Sequence, residues 1–553
     1  MTSVSIKRKF EDSNDTKENL LEMSPDNSDD DDEDDEIEDG SSLPIIMLDI
    51  VEEAFDANVK RADPDEFQKI IETIEKAKLL VFNFHPNIKT MFDKAIARLE
   101  AGTSEGKVPP GSSAVQISRV DMRFLLSCFV CLHAKVASAL KLQEGNDETI
   151  RLLREALIFY PRSVTANLLL ARALLPLADT EEALGKVELH LRKAAAHQLP
   201  NSKDEDVVKE RDSQNAAREM LSLLLCQAGK IQESYKYLRS SGFTWRLSKQ
   251  VLAHQRDMKA EVVDSAAFVK GKNDSIPESA LQHLRHVFRP DSPFWKEHSY
   301  DLSCNASRAA GYFSYQYPFR QRAPVGSIEQ IVDLVYRRVE EMFPQVKSAT
   351  VAEWWVHSRP HASGHQLHFD SDETRIEGGG KPRHPICSCI LYLEESGKIG
   401  GPTLVTDQTL GGGIATKGWL CFPQYGRLVA FDAQYLHGVI PGHGPNPAPG
   451  KRRLTFMVGF WEKIEAKDRG VDNPGPGQPW PGALSTYSWH KEMKLTSELD
   501  PEALQRESEN KDGSDVDFQY VERVWEPVDR DGSSSLLLKG MRLPEYTCMF
   551  QGF

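Results

Sequence analysis

The sequence predicts an α+β chain of several domains, in which a helical region is followed by a β-sandwich or barrel. At roughly 150 residues per domain, the 553 residues are enough for about three to four domains. From residue 43 to residue 248, apolar residues recur at the three- and four-residue spacing of one helix face. From residue 350 onward, short apolar runs alternate with Gly- and Pro-rich turns, which is typical of a β-sandwich or barrel.

The chain begins with an acidic tail, which we expect to be disordered over residues 1–42. Residues 1–40 contain 16 acidic and four basic residues, so the tail carries most of the net charge of -16. Such a segment buries too little apolar surface to offset the entropy lost on ordering. Ser28 precedes four Asp residues and resembles an acidophilic-kinase site, and residues 7–9 are a candidate nuclear-import cluster. A solubilising tail is the alternative for both.

Composition and the N-terminus predict an intracellular protein, cytoplasmic or nuclear or both. Eight cysteines in 553 residues are too few for a disulfide scaffold, so a reducing compartment is expected. The N-terminal sequence MTSVSIKRKF lacks the apolar segment of a secretory signal. We find no apolar run near the roughly 18–20 residues needed to cross a bilayer, and expect no membrane partner. The nearly neutral body disfavours nucleic acid as a partner.

The helical region, residues 43–248, resembles stacked tetratricopeptide units. The segment EALIFYP ends one predicted helix at Pro161, and DTEEALGKVELHLRKAAAHQLP ends a later one at Pro200. The prolines are 39 residues apart, whereas the usual repeat is about 34, so the similarity is loose. Stacked helix pairs offer a concave surface that can hold a peptide. A helical bundle that only supports its neighbour is the alternative.

Cys128 and Cys131 form a CxxC inside the apolar run FLLSCFVCLHAKV. A CxxC can take part in zinc binding, but structural zinc sites need further ligands, which a second CxxC often supplies. The sequence has no second CxxC. We therefore predict two buried helix thiols rather than a metal site.

Three further segments follow the helical region. Residues 249–275 are polar and predict a linker, and residues 276–465 predict the second folded domain. Within that domain, TVAEWWVHS, ICSCILYLEE, GRLVAFDA and RLTFMVGFWE have the apolar and aromatic character of strands. Residues 466–553 form a C-terminal extension, which opens with the loop sequence DNPGPGQPWPG.

His368, Asp370 and His437 are the candidate metal ligands. In an extended chain the side chains of residues i and i+2 point the same way, so His368 and Asp370 can bind one ion together. His437 follows just beyond another predicted strand, in FDAQYLHGVIP. Two histidines and one carboxylate on one face of a metal leave positions open, which is the arrangement expected for non-haem Fe(II).

Arg453 is the candidate partner for a co-substrate that chelates the metal. A guanidinium can donate two parallel hydrogen bonds to a carboxylate, each worth about 1.5–3 kcal/mol. The distal carboxylate of 2-oxoglutarate fits this role. Arg452 is the neighbouring alternative, but strand alternation favours Arg453, which shares a face with Thr455 and Met457.

From Glu353 to Trp461 the sequence resembles the iron(II)/2-oxoglutarate dioxygenases, and most closely their prolyl-hydroxylase-like branch. The ordered motifs HxD, GG, HxVxP and RxT carry the resemblance, in EWWVHSRPHASGHQLHFD, GGPTLV, GRLVAFDAQYLHGVIP and KRRLTFMVGFW. The resemblance implies that this domain is a double-stranded β-helix, or jelly roll, and that the enzyme is an oxidoreductase.

The resemblance also implies roles for individual residues. The three candidate ligands would bind Fe(II), and Arg453 would pair with 2-oxoglutarate, to which Tyr392 and Thr455 would add contacts. O2 is the other substrate, and ascorbate is an optional further cofactor. One position departs from the branch, where the strand before HxD often ends in a tyrosine that lines the pocket. Ser358 is the matching residue here, so we expect a different pocket shape.

Other metal-binding side chains near these motifs have simpler interpretations. Cys387 and Cys389 share a strand face and Cys421 is near them. We expect core cysteines, because the iron site is already complete. His365 and His384 are expected in loops or on the substrate side.

The resemblance implies a dioxygenase that hydroxylates a C–H bond and releases succinate and CO2. A protein side chain, with proline as the first candidate, is the expected substrate, because the helical region could hold a polypeptide. A nucleic-acid demethylase is disfavoured, since its strand usually carries RxNxTxR and this chain has RRLTFMVG. Three alternatives stay open: a non-catalytic scaffold, an inactive or cupin-like metal site, and an oxygenase acting on a small metabolite.

Overall fold

The structure is a computed structural model of the chain. It describes residues 42–59, 63–100, 121–140, 147–255, 267–298, 300, 313–372, 375, 379–466, 477–479, 488–489, 501–509 and 511–528. Residues 1–41 of the acidic tail, with Ser28 and the basic cluster at residues 7–9, lie outside the described residues, and Ser42 begins a helix.

The helical region contains nine helices within the described ranges. They are α1 Ser42–Asn58, α2 Pro64–Phe84, α3 Pro86–Glu100, α4 Met122–Leu140, α5 Asp147–Phe159, α6 Val164–Leu174, α7 Glu181–Ala196, α8 Glu205–Gln227 and α9 Ile231–Ser240. Four of them begin where a side-chain oxygen accepts a hydrogen bond from a backbone N–H of the first turn. These N-cap residues are Asp63, Ser163, Thr180 and Asp204.

Consecutive helices from α4 to α9 pack against each other in chain order. The predicted helical region is therefore present as a stack, while the tetratricopeptide resemblance stays a prediction. Between α2 and α5, Lys78 Nζ lies 3.1 Å from Glu155 Oε1, and both side chains are buried. Cys131 is buried and Cys128 half-buried, and neither forms a disulfide.

Helix α4 corrects one expectation drawn from the sequence. Its segment Met122–Ala139 has a mean hydropathy of 1.4, and it is long and apolar enough to cross a membrane by length and composition. In the structure 67% of that segment is buried, because α4 packs against α1, α2 and α5. The apolar run therefore exists, and its side chains fill the core of the helical stack.

Fifteen strands and five further helices occur in the described part of the chain beyond α9. The helices are α10 Lys249–Leu252, α11 Glu278–Val287, α12 Pro293–Glu297, α13 Ser327–Met342 and α14 Pro501–Glu509. The strands are β1 Trp245–Leu247, β2 Val269–Asn273, β3 Tyr315–Tyr317, β4 Val351–Arg359, β5 His365–His368, β6 Cys387–Tyr392, β7 Thr403–Thr409, β8 Gly418–Cys421, β9 Leu428–Phe431, β10 Tyr435–Val439, β11 Arg453–Trp461, β12 Gln478–Pro479, β13 Ser514–Asp515, β14 Gln519–Val521 and β15 Trp525–Pro527.

Strands β4 to β11 form a jelly-roll-like domain of two sheets. One sheet contains the order β4-β11-β6-β9, which we call the major sheet, and the other contains β5-β10-β7-β8, the minor sheet. Neighbouring strands in both orders are antiparallel. The chain therefore crosses between two sheets repeatedly, as in a jelly roll. The outer face of the major sheet packs against α11 and α13.

Two ordered elements lie within the predicted linker, residues 249–275, where the structure describes it. Lys249–Leu252 form α10, and Val269–Asn273 form β2, which pairs with β9 at the edge of the major sheet. Residues 256–266 lie outside the described ranges. Strand β2 lies between β9 and β13, and two of its five residues are buried, which its polar composition did not indicate.

The helical region and the jelly roll share one core. Helices α6, α7 and α8 contribute apolar side chains to it, and so does the outer face of the minor sheet through Leu404 and Leu420. The C-terminal extension also takes part, because β14 pairs with β8 and β15 pairs with β1. The two regions are therefore packed together rather than joined by a flexible connection.

Candidate metal centre

His368, Asp370 and His437 come together at the facing ends of two paired strands. His368 is the last residue of β5 and lies opposite His437 of β10 in the antiparallel register. Asp370 follows two residues after His368. One ligand atom from each of the three residues lies within 4.8 Å of the other two.

Backbone carbonyls orient both imidazole rings. His368 Nδ1 donates to the carbonyl of Gln366 at 2.7 Å, and His437 Nδ1 donates to the carbonyl of Tyr435 at 2.9 Å. Each ring therefore turns Nε2 towards the Asp370 carboxylate, from which these atoms lie 3.4 and 3.5 Å. A metal-ligating histidine usually has its second ring nitrogen held in this way.

Asp370 is held from two sides. Ser388 Oγ donates to Asp370 Oδ2 at 2.5 Å, and His384 Nδ1 donates to the backbone carbonyl of Asp370 at 2.6 Å. Burial opposes ionisation of this carboxyl, yet His437 and His368 hold its pKa well below the usual range. Asp370 is therefore ionised and fixed in position, as a metal ligand must be. Two imidazoles and one oriented carboxylate fit a divalent transition metal such as Fe(II).

The three residues line a cavity of about 300 Å³ between the two sheets. Alternate residues of β4 face this cavity: Glu353, Trp355, His357 and Arg359. The residues between them face the core under α11 and α13. The prediction that Ser358 takes the pocket-lining position is therefore wrong by one residue, because successive side chains of a strand point to opposite faces.

The same alternation separates the two candidate arginines. Arg452 turns away from the cavity, where its Nε donates to Ser358 Oγ at 2.9 Å and its Nη2 to the Ser358 carbonyl at 2.8 Å. Arg453 lines the cavity and is almost fully buried. Its neighbour Gly400 has φ +78°, and a Cβ there would lie 2.6 Å from Arg453 Cδ, so only glycine fits beside it.

The Arg453 guanidinium makes few hydrogen bonds to the described residues. Its Nη2 donates to Thr403 Oγ1 at 3.4 Å, whereas its buried Nε and Nη1 have no hydrogen-bond partner among the described residues. Burial lowers the pKa of Arg453, and the neighbouring Tyr392 and Cys421 oppose this only in part. Buried donors without partners are rare in folded proteins, and a bound carboxylate would satisfy them. The group fits the distal carboxylate of 2-oxoglutarate.

Tyr392 and Thr455 flank Arg453 on the same sheet face. The Arg453 guanidinium carbon lies 5.4 Å from the centre of the Tyr392 ring, and the Tyr392 hydroxyl is 2.7 Å from Thr403 Oγ1. Thr455 lines the cavity and lies opposite Tyr392 and His357 in the register. All the residues predicted for the site therefore lie in or beside one cavity.

Several cavity residues were not predicted from the sequence, among them Glu353, Trp355, His357, Arg359 and Ser388. Arg359 donates to the carbonyl of Gly364 at 3.0 Å and contacts His365 Nδ1 at 2.6 Å. His365, expected in a loop or on the substrate side, lies in β5 beside His368 and lines the cavity. The alternation of polar and apolar residues in EWWVHSR could have indicated the β4 residues, once its register was known.

The helical region also contacts the segment that follows His437. His443 Nε2 donates to the carbonyl of Gln227 at 2.8 Å, and Gln227 Nε2 donates to the carbonyl of Pro441 at 3.3 Å. His254 Nε2 donates to the same Pro441 carbonyl at 3.1 Å. The position of the distal histidine strand thus depends on the end of α8.

No protein-family model and no curated protein matches the chain, but several solved structures are similar to it. SnoK, a non-haem α-ketoglutarate-dependent carbocyclase from nogalamycin biosynthesis, is 9% identical, with 40% of this chain and 94% of that chain covered and a TM-score of 0.24. HygX from Streptomyces hygroscopicus, solved with nickel and 2-oxoglutarate, is 11% identical over 38% and 91%, with a TM-score of 0.20. CytC3, solved with Fe(II) and α-ketoglutarate, is 12% identical over 37% and 80%, with a TM-score of 0.22.

Proposed function

We propose that the protein is an Fe(II)- and 2-oxoglutarate-dependent dioxygenase that hydroxylates a C–H bond. One observation carries the proposal: two Nε2 atoms and one carboxylate meet within 4.8 Å, in a cavity that also contains the unpaired donors of Arg453. The first group fits a metal with open positions, and the second fits a chelating acid. A protein that had lost its activity, or one that only binds partners, would not need both the metal-binding side chains and the unpaired Arg453 donors.

His368, Asp370 and His437 would hold the iron, and Arg453 would bind the distal carboxylate of 2-oxoglutarate. When bound, iron, 2-oxoglutarate and O2 supply the oxidising chemistry, with succinate and CO2 as co-products. Ser388 fixes the Asp370 carboxylate, so the ligand set changes little when metal enters. Thr403 holds one Arg453 nitrogen and leaves the others for the co-substrate.

The cavity walls support chemistry that must be shielded from water. Trp355, Met457, Ile390 and Phe431 line the cavity on the major sheet, and each is at least nine-tenths buried. In such a site charged groups interact more strongly than in water, which favours the pairing of Arg453 with a carboxylate. Ascorbate remains an optional further cofactor of the proposal.

We keep a protein side chain as the proposed substrate, with the helical region as the proposed holder of its polypeptide. A cavity of about 300 Å³ can take one side chain or a small metabolite. The small metabolite therefore remains the alternative. The proposed location is the cytoplasm, the nucleus or both, on the cysteine content of the sequence.

The test needs no knowledge of the substrate. Ferrous iron chelated by 2-oxoglutarate has a visible absorption band, which we expect in anaerobic wild-type protein with both added. Succinate should then form slowly when O2 is admitted. His368→Ala should lose the band and the succinate, whereas His286→Ala, at an exposed histidine of α11, should keep both. If wild type binds no iron and forms no succinate, the scaffold alternative is favoured.

A further inference from the structure

The cavity contains a buried acid that the proposed chemistry does not use. Glu353 of β4 is 6% exposed and lines the cavity. One of its carboxylate oxygens accepts a hydrogen bond from Ser314 Oγ, which in turn accepts one from the backbone N–H of Gly477 at 2.7 Å. Within the part of the chain that the structure describes, no Lys, Arg or His forms an ion pair with Glu353.

Other buried acids in the protein have partners that account for them. Glu329 forms two bonds with the Arg322 guanidinium, at 2.5 and 2.6 Å. Glu210 accepts the backbone N–H groups of Val164 and Thr165 at the start of α6, at 2.7 and 3.2 Å. A buried carboxylate without a positive partner is costly, so its position in a ligand cavity indicates a partner supplied by the ligand.

The surroundings of Glu353 favour a positive charge. Burial raises the pKa of this carboxyl to about 7, and the nearby charges of Asp370 and Asp372 also raise it, whereas the contacts with Ser314 and Trp461 lower it. Trp461 lines the same part of the cavity, and its indole N–H lies 3.2 Å from the position a Cβ would take at Gly459, directly opposite Glu353 in the register. Aromatic faces and carboxylates together are the usual surroundings of a bound organic cation.

The charges that line the cavity are separated along the major sheet. Arg359 and Arg453 lie opposite each other at one end of β4 and β11. Glu353 is six residues from Arg359, which at about 3.3 Å per residue is roughly 20 Å along the strand. One end therefore suits the carboxylate of 2-oxoglutarate, and the other suits a group of opposite charge.

We propose that Glu353, with Trp461 beside it, forms a substrate subsite for a cationic nitrogen group, an alkylammonium or a guanidinium. The inference rests on the proposed function, whose substrate class it narrows. Ser388, whose hydroxyl donates to Asp370, lies opposite Gly459 of β11, and Gly459 lies opposite Glu353. Ser388 and Glu353 are therefore two strands apart, or about 10 Å. A cation anchored on Glu353 would thus bring carbons a few bonds along its chain to the metal ligands.

The test compares a cation with a neutral molecule of the same shape. Full-length protein loaded with Zn²⁺ and 2-oxoglutarate, which cannot turn over, is titrated at pH 8 with butylammonium chloride and with 1-butanol by calorimetry. Wild type should bind butylammonium about tenfold or more tightly than 1-butanol, because a charge-assisted hydrogen bond forms only with the cation. Equal binding of the two probes would overturn the proposal without recourse to a variant.

Two matched variants locate the binding. Glu353→Gln retains an oxygen that can accept from Ser314 and should reduce the preference for the cation to within about twofold. Glu465→Gln, at an exposed acid that lines the mouth of the same cavity, should keep the wild-type preference. A preference that persists in Glu353→Gln, or that is lost in Glu465→Gln alone, would place the cation elsewhere and overturn the assignment.

Two further measurements identify the source of the cation and test the proposed function separately. A peptide with one central lysine should bind more tightly than butylammonium if the substrate is a polypeptide, and more weakly if it is a free amine; both support the subsite. Binding of butylammonium through Glu353 in a protein that forms no succinate would support the subsite and reject the dioxygenase. Succinate formation without cation binding would do the reverse.

Discussion

The buried charges of the Lys78–Glu155 pair in the helical region match each other, whereas Arg453 and Glu353 in the jelly-roll cavity have no such match among the described residues. Between α2 and α5, Lys78 and Glu155 lie 3.1 Å apart and neutralise each other. In the cavity, Arg453 and Glu353 are as deeply buried, and neither forms an ion pair with a described residue. Since removing a charge from water costs several kcal/mol, an unpaired buried charge indicates a use other than stability. The contrast distinguishes charges that stabilise the fold from charges that a bound ligand would neutralise.

Arg453→Met should give the largest effect and test the cavity side of this contrast. It removes two charge-assisted hydrogen bonds to a carboxylate, so we expect the Kd for 2-oxoglutarate to rise about 100-fold or more. The Tm should stay unchanged or rise, because an unpaired buried charge is replaced by an apolar side chain. Titration of 2-oxoglutarate into the Zn²⁺-loaded protein measures the first effect, and thermal unfolding the second.

Arg452→Met is the matched control for that experiment. Arg452 donates to Ser358 on the opposite face of the strand, so its replacement should leave the Kd for 2-oxoglutarate within about twofold of wild type. If instead Arg452→Met weakens 2-oxoglutarate binding and Arg453→Met does not, the proposed role of Arg453 is wrong.

Lys78→Met should act on stability and leave ligand binding unaffected. It leaves the buried Glu155 with Arg151, 3.2 Å away, as its remaining ion-pair partner among the described residues. We expect the free energy of unfolding to fall by about 3 kcal/mol, as for other buried pairs that lose one member. Lys69→Met, at an exposed pair with Glu66, should leave the free energy of unfolding close to that of wild type. If the free energy of unfolding fell equally in Lys78→Met and Lys69→Met, the buried pair would contribute no more than an exposed one, and the contrast between the helical region and the cavity would be lost.

The pH dependence of stability should reveal Glu353 in metal-free protein. Its pKa is raised from 4.5 to about 7, so between these pH values the folded state keeps a proton that the unfolded state has lost. Stability therefore falls as pH rises through this window, by an amount on the order of 3 kcal/mol. Glu353→Gln should remove that fall. The Tm of the variant minus the Tm of wild type should therefore be larger at pH 8 than at pH 4.5. A constant Tm difference at both pH values would argue against the raised pKa.

Ser388→Ala should have the smallest effect, and should act on the metal. Without the 2.5 Å bond from Ser388 Oγ, the Asp370 carboxylate is free to rotate, and we expect Fe(II) or Zn²⁺ affinity to fall about 10- to 100-fold. Competition with a chelating dye measures the loss. Ser358→Ala, on the other face of β4, is the control, and equal losses in both would mean that Ser388 does not act through Asp370.

Much of the fold could be predicted from local patterns. The end of α5 just before Pro161, and the apolar and aromatic runs that form β4, β6 and β11, depend on neighbours in sequence, and both were predicted. The strand β2 could not be predicted in this way, since its residues pair with β9 more than 150 positions later. The packing of the helical region on the minor sheet is equally non-local, and no periodicity in the chain indicates it.

The sequence by itself selected the candidate metal ligands and preferred Arg453 to Arg452, because the i and i+2 spacings it used hold in any extended strand. His368 and Asp370 are two residues apart, and Arg453 alternates with Thr455. Only the tertiary structure decided which face of β4 lines the cavity. A register shift of one residue would place Ser358 in the cavity instead of His357. It also decided that Glu353 is buried without a counter-charge, because the surroundings of a side chain depend on segments distant in the sequence.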